Sequence, residues 1–205
     1  MKIICIGMNY ASHNKELQNS LVHKEPVVFL KPDSSLLKDG KPFYIPDYSE
    51  DIQYETEVVV RINRLGKNIA KRFAHRYYKE VTVGIDITAR DLQEKLRADG
   101  LPWEICKAFD NSAAIGNFIS LDELAEDVNN ISFSLNINEK EVQSGNTKDQ
   151  LFTIDEIIAY VSRFFTLKIG DLIFTGTPVG VGKLNINDRL EGFICNKKVL
   201  DFKIK

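Results

Sequence analysis

The stretch Asp51-Ile52-Gln53-Tyr54-Glu55-Thr56-Glu57-Val58-Val59-Val60 constrains the chain more than any other. It is strongly strand-like, and its continuation past Glu57 is wholly apolar. On a strand, residues two apart share a face, so the carboxylates of Glu55 and Glu57 project side by side. Like charges on one face repel, and a buried carboxylate without a partner is costly. Something positive should therefore sit between them. A solvated strand face with the valines beneath it is the plainer alternative. A divalent cation site is the functional one.

A third acid strengthens the functional reading. Val81-Thr82-Val83-Gly84-Ile85-Asp86-Ile87-Thr88-Ala89-Arg90-Asp91-Leu92-Gln93 places Asp86 inside an apolar strand-like run that turns into a helix. Arg90, four residues on, offers it a local ion pair. Alternatively, Asp86 is a third oxygen ligand beside Glu55 and Glu57. All-carboxylate ligation selects a hard ion, Mg²⁺, Mn²⁺ or Ca²⁺, over zinc. Three carboxylates outweigh one dication, so an anionic substrate would need nearby cations, and Arg90 and Lys107 are available. Lys107 lies in Pro102-Trp103-Glu104-Ile105-Cys106-Lys107-Ala108-Phe109. There it reads either as a desolvated acid or anion clamp, or as a surface lysine with a snorkelling stem.

Two further segments carry chemistry. In Asn9-Tyr10-Ala11-Ser12-His13-Asn14-Lys15-Glu16 a helix would bring His13 and Glu16 onto one face. A His oriented by a carboxylate is a general base for activating water; the alternative is an incidental His on a solvated helix. Thr175-Gly176-Thr177-Pro178-Val179-Gly180-Val181-Gly182-Lys183 is glycine-rich. It fails as a phosphate-binding loop, because Thr177 stands where the first glycine must be and Leu184 follows the lysine. It reads as a strand-end turn whose amides and hydroxyls could meet a carboxylate.

Strands outnumber helices. Strands are predicted at 1–7, 27–30, 54–62, 81–87, 132–137, 141–144, 172–175, 189–194 and 199–204. Helices are predicted at 9–19, 68–79, 89–98 and 153–165, the last with Thr153 as N-cap, and a helical turn at 120–125. Residues 32–50 read as irregular, with Pro32, Pro42 and Pro46. The basic part of 68–79, with His75, reads as a solvated helix face. Strict strand–helix alternation is missing, so a β-rich mixed α+β fold fits better than a doubly wound sheet. At 205 residues, one domain over 1–205 is expected.

The formal charge of −2 supplies no field for nucleic acid or an anionic membrane. Apolar runs such as Ile3-Ile4-Cys5-Ile6 fall far short of the ~20 residues of a bilayer span. The N-terminus reads as a first strand rather than a signal peptide. Cys5, Cys106 and Cys195 are odd in number and form no metal-binding pair, which suggests a reducing, cytoplasmic setting.

Taken together, these residues resemble the fumarylacetoacetate hydrolase family over nearly the whole chain. The blocks that carry the resemblance are Ile6-Gly7-Met8-Asn9-Tyr10 with His13 and Glu16, Phe29-Leu30-Lys31-Pro32, Glu55-Thr56-Glu57, Asp86 to Gln93, Leu101-Pro102-Trp103 with Lys107, and Thr175 to Gly182. The chain is most similar to the short single-domain members of the acylpyruvate hydrolase and oxaloacetate decarboxylase type. The resemblance implies a mixed β-sandwich roll, usually a homodimer. It implies Mg²⁺ or Mn²⁺ held by Glu55, Glu57 and Asp86, with Ca²⁺ as a further candidate. It implies catalytic roles for His13, Glu16 and Lys107, and substrate contacts from Arg90, Gln93 and Thr177. It also implies that His13 and Glu16 lie on a flexible segment that orders over substrate. The expected reaction is cleavage of a C–C bond in a 3-acylpyruvate-type 2-oxo acid through a metal-stabilised enolate. Oxaloacetate decarboxylation and isomerisation of a hydroxydienedioate pass through the same enolate and stay open, as does a non-catalytic metal-binding module. Met8, and the run after Lys107 (Ala108-Phe109-Asp110-Asn111-Ser112), depart from many relatives.

Overall fold

A computed structural model describes residues 1–11, 23–124 and 126–205. In chain order its strands are β1 (Ile3–Gly7), β2 (Val27–Lys31), β3 (Leu36–Leu37), β4 (Ile52–Tyr54), β5 (Thr56–Ile62), β6 (Tyr78–Asp86), β7 (Thr88–Ala89), β8 (Ala113–Ile115), β9 (Ile119–Ser120), β10 (Ser132–Ile137), β11 (Lys140–Asn146), β12 (Leu172–Phe174), β13 (Gly182–Lys183), β14 (Arg189–Ile194) and β15 (Lys197–Lys203). The helices are α1 (Lys71–Ala74), α2 (Arg90–Ala98), α3 (Glu104–Lys107), α4 (Leu121–Leu124) and α5 (Ile154–Val161). The fold is mixed α+β and strand-rich, as the sequence predicts.

The largest sheet runs β2-β1-β12-β5-β6-β8-β3, with β9 against β6; a second runs β11-β10-β14-β15, and a small third runs β13-β4-β7. β5 lies in the middle of the largest sheet, antiparallel to both β12 and β6. A central strand has both faces covered, which is why its sequence is apolar without alternation. Val58, Val60 and Ile62 enter the main core, whereas Val59 joins Ile3, Cys5, Leu172 and Phe174 on the opposite face. Glu57 shares the side of Val59, so the acids sit at one end of this second face.

Helix α5 closes the main core with Ile154, Ile157, Ile158 and Val161, the spacing of one apolar face. Its predicted cap is present: Glu156 N donates to Thr153 Oγ1, and the Glu156 carboxylate accepts from Thr153 N at 2.9 Å. The predicted helix over 68–79 is corrected to one turn, α1, since β6 begins at Tyr78. Pairing of Tyr78 with Ile62 in the sheet outweighs the weak helix preference of Tyr77 and Tyr78. Short helix α3 was not predicted. In the predicted helix 9–19, Tyr10 instead makes an isolated bridge to Gln150, and 12–19 lie outside the described residues. Among the described residues no helix is long and apolar enough to cross a membrane.

Candidate active site

The register of β5 against β6 builds the acidic cluster. Thr56 pairs with Ile85 and Glu57 with Gly84, and Asp86 N donates to the Glu55 carbonyl at 2.8 Å. Asp86 thus stands opposite Glu55 on the same side of the sheet. Gly84, opposite Glu57, has no side chain to fill that place. One carboxylate oxygen from each of Glu55, Glu57 and Asp86 lies within 4.8 Å of the others, and all three residues are buried. The structure therefore brings the predicted trio together.

Three cations balance these acids. Lys107 Nζ donates to Glu55 Oε2 at 2.8 Å, Asp86 Oδ2 at 2.7 Å and Thr88 Oγ1 at 2.6 Å. Lys107 is 2 % exposed, so the snorkelling reading is overturned. Burial alone would depress its pKa, but the carboxylates of Asp86 and Glu55 outweigh burial and hold it above the ordinary lysine value. Arg90 Nη2 lies 2.5 Å from Glu55 Oε1, Nε donates to Gln53 Oε1 at 2.8 Å, and Nη1 donates to Gln93 Oε1. Arg90 therefore pairs with Glu55, across the sheet, and not with Asp86. The reason is that Asp86 ends β6 while Arg90 opens α2, and two residues of β7 turn the chain between them.

The third cation, Lys31, was missed. Its Nζ lies 2.7 Å from Asp86 Oδ1. The two form an ion pair without hydrogen-bond alignment, which leaves Oδ1 a buried oxygen with no hydrogen-bond donor. The ammonium instead donates to Ser112 Oγ at 3.0 Å, Ser112 O at 3.1 Å and the Lys107 carbonyl. A lysine that ends the apolar strand Val27-Val28-Phe29-Leu30 was the signal in the sequence. Nothing local said which acid it would meet.

Glu57 has no cation on it among the described residues. Its Oε2 accepts from Gly176 N at 2.6 Å. Burial first, and then the charges of Asp86 and Glu55, push its pKa well above the ordinary carboxylate value. A buried acid pushed toward its protonated form by two neighbouring carboxylates, with an Asp86 oxygen short of a donor, is the environment a dication would relieve. All donors are hard oxygens, so the residues present fit a divalent metal.

The glycine-rich turn is tied to this cluster rather than to phosphate. Gly176 has φ 100°, and a Cβ there would meet Asn9 Cβ at 2.6 Å. Only glycine fits that conformation and closeness while aiming its N–H at Glu57. Asn9 Nδ2 donates to the Thr175 carbonyl at 2.7 Å, and Gln150 Nε2 to Thr175 Oγ1 at 2.8 Å. Gln143, also missed, bridges the turn to β5. Its Oε1 accepts from Thr56 N at 3.0 Å, and its Nε2 donates to Thr177 Oγ1 and the Pro178 carbonyl, both at 2.8 Å.

A cleft over the cluster is lined by Arg90, Gln93, Thr177 and Lys107, all named from the sequence, and by Met8, Phe29, Arg97 and Trp103. Phe29 and Trp103 pack edge to face with centroids 5.9 Å apart and form an apolar wall. His13 and Glu16 lie outside the described residues.

Residues 2–200 match the family model described as Fumarylacetoacetate (FAA) hydrolase C-terminal. The chain belongs to the fumarylacetoacetate hydrolase family. It is 40% identical over 189 residues to oxaloacetate tautomerase YcgM of Escherichia coli, covering 92% of this chain and 86% of that one. It is 37% identical over 203 residues to the mouse mitochondrial oxaloacetate tautomerase FAHD1, covering 99% and 91%. Among solved structures, the fumarylpyruvate hydrolase of Pseudomonas aeruginosa in complex with Mn²⁺ and pyruvate superposes with a TM-score of 0.92 at 32% identity, covering 100% of this chain and 89% of that one. Family members thus include enzymes of hydrolase and tautomerase type that act on small 2-oxo acids, in keeping with the resemblance read from the sequence.

Proposed function

We propose that this chain is a Mg²⁺- or Mn²⁺-dependent enzyme that forms and discharges the enolate of a 2-oxo acid, with oxaloacetate tautomerisation as its first reaction. The observation that carries this reading is the buried trio Glu55, Glu57 and Asp86 with Lys107 seated against two of its members. When bound, a dication would supply Lewis-acid polarisation of the substrate's keto oxygen.

The chain's own residues do the rest. Arg90 and Gln93 face the cleft from one side of α2 and orient a carboxylate by charge-assisted hydrogen bonds. The Lys107 ammonium carries a proton at Nζ. It offsets the negative charge that grows on the enolate oxygen, gives a proton to the enolate carbon and recovers one from the enol hydroxyl, so that tautomerisation leaves the ammonium as it began. Thr177, held by Gln143, presents a hydroxyl to the same cleft. Phe29 and Trp103 keep one wall dry, which strengthens each of these interactions.

A second reading, hydrolysis of a 3-acylpyruvate, is favoured by the spacing of His13 and Glu16 and by the likeness to a fumarylpyruvate hydrolase. There His13, oriented by Glu16, takes a proton from the water that attacks the far carbonyl. The same proposal takes the chain to act as a cytoplasmic homodimer. The resemblance supports the dimer, and three free cysteines support a reducing compartment.

Oxaloacetate enolisation, followed by ultraviolet absorbance, should accelerate with Mg²⁺ or Mn²⁺ and stop with a chelator. No acceleration of oxaloacetate, acetylpyruvate or a related dienoate would leave the non-catalytic reading standing. His13→Ala should abolish acetylpyruvate hydrolysis yet keep part of any oxaloacetate decarboxylation, which needs no activated water. Equal loss of both activities would remove His13 from the role of water base.

A further inference from the structure

We propose that Arg97 binds a second carboxylate at the far end of the substrate, and so makes this a site for dicarboxylic rather than monocarboxylic 2-oxo acids. The inference rests on the 2-oxo-acid reading above and adds a residue and a selectivity to it.

Position along α2 is the first observation. Arg90, Gln93 and Arg97 stand at i, i+3 and i+7, one face of a helix, and all three line the cleft. Arg90 and Gln93 are engaged with each other, and Arg90 also with Glu55. Arg97, the next on that face, is half-buried, and its guanidinium has no ion pair or hydrogen bond among the described residues. A guanidinium is a rigid fork of donors shaped for a carboxylate, and a partly buried one without an anion is an incomplete pair. Met8, Phe29 and Trp103 line the same cleft as an apolar wall suited to a short carbon chain, but offer no anion to Arg97.

Charge is the second observation. Among the described residues the three acids are equalled in number by the three cations Lys31, Lys107 and Arg90, which pair with Glu55 and Asp86 and leave Glu57 without a direct partner. Arg97 is therefore a surplus positive charge at the cleft, and a bound dication would add two more. The enolate of a dicarboxylic 2-oxo acid carries three negative charges and brings such a site to neutrality. The enolate of a monocarboxylic acid carries two and leaves Arg97 unmatched. A site with low-dielectric walls discriminates strongly against that imbalance.

The test titrates the Mn²⁺-loaded protein with pyruvate and with freshly dissolved oxaloacetate, reading water-proton relaxation, and measures the KM and kcat for oxaloacetate alongside. Wild type should bind oxaloacetate about tenfold or more tightly than pyruvate, the worth of one charge-assisted pair. Arg97→Met should bring oxaloacetate down to the level of pyruvate, raise KM with kcat nearly unchanged, and leave pyruvate and Mn²⁺ affinity where they were. Arg97→Lys should recover part of the preference. If Arg97→Met keeps the preference, or weakens both acids equally, Arg97 does not read the second carboxylate, while the 2-oxo-acid reading stands. If wild type holds Mn²⁺ but binds neither acid, that reading fails and the role of Arg97 falls with it.

Discussion

Asp86→Asn should lose Mn²⁺ binding by more than about a hundredfold and, with it, the metal-stimulated turnover of any 2-oxo acid. Loss of a mere supporting contact to a ligand already costs about ten- to a hundredfold, and Asp86 is placed as a ligand itself. The substitution is nearly isosteric, so packing is not the cause. Charge is. Asp86 meets Lys107 through Oδ2 and Lys31 through Oδ1, both at 2.7 Å. The amide cannot neutralise either ammonium, and it would turn a donor toward one of them. Breaking a buried ion pair from one side costs about 3–5 kcal/mol, so urea unfolding of the metal-free variant should show a loss of that order. Unchanged Mn²⁺ affinity by calorimetry would remove the acidic trio from metal binding, and the proposed chemistry with it.

Lys107→Met should act on the metal in the opposite sense. In the metal-free protein the ammonium spans Glu55 and Asp86, and so occupies oxygens that a dication would need. Its removal leaves three buried acids facing only Lys31 and Arg90. The metal-free variant should therefore lose about 3–5 kcal/mol of stability, again the cost of an uncompensated buried charge. A dication then restores more than it does in wild type, because it no longer competes with an ammonium. The rise in Tm on adding Mg²⁺ should be larger in Lys107→Met than in wild type. Turnover should nevertheless fall by about 10²–10⁴, the usual worth of a positioned acid or base. A smaller Mg²⁺-induced rise in Tm than in wild type would mean that Lys107 supports the cation rather than displacing it.

Much of this site is legible along the chain because its elements are local. Strand parity sets Glu55 beside Glu57, and helix spacing sets Arg90 beside Gln93, before any tertiary contact is known. The capping box at Thr153 and Glu156 is likewise complete within four residues. Errors arise where a partner comes from far away. Residues 68–79 carry a passable helical pattern, yet Tyr78 is drawn into β6 by Ile62 on the neighbouring strand. Arg90 is four residues from Asp86 in sequence, yet it reaches across to Glu55, which lies 35 residues away. Lys31 and Gln143 give no local sign of which groups they meet, since their partners lie 55 to 81 and 34 to 87 residues distant.

The sequence by itself determines the strand-rich class, the apolar β5 and β6, and the pairing of carboxylates on one face, because periodicity and residue chemistry act over a few bonds. Only the tertiary structure decides which cations neutralise those carboxylates, which acid is left without one, and that Arg97 completes the line of polar groups along the cleft. Charge pairing is set by distance and dielectric in space. The chain fixes those only when the sheet closes and Lys31, Lys107 and Arg90 are carried from three separate segments to one buried cluster.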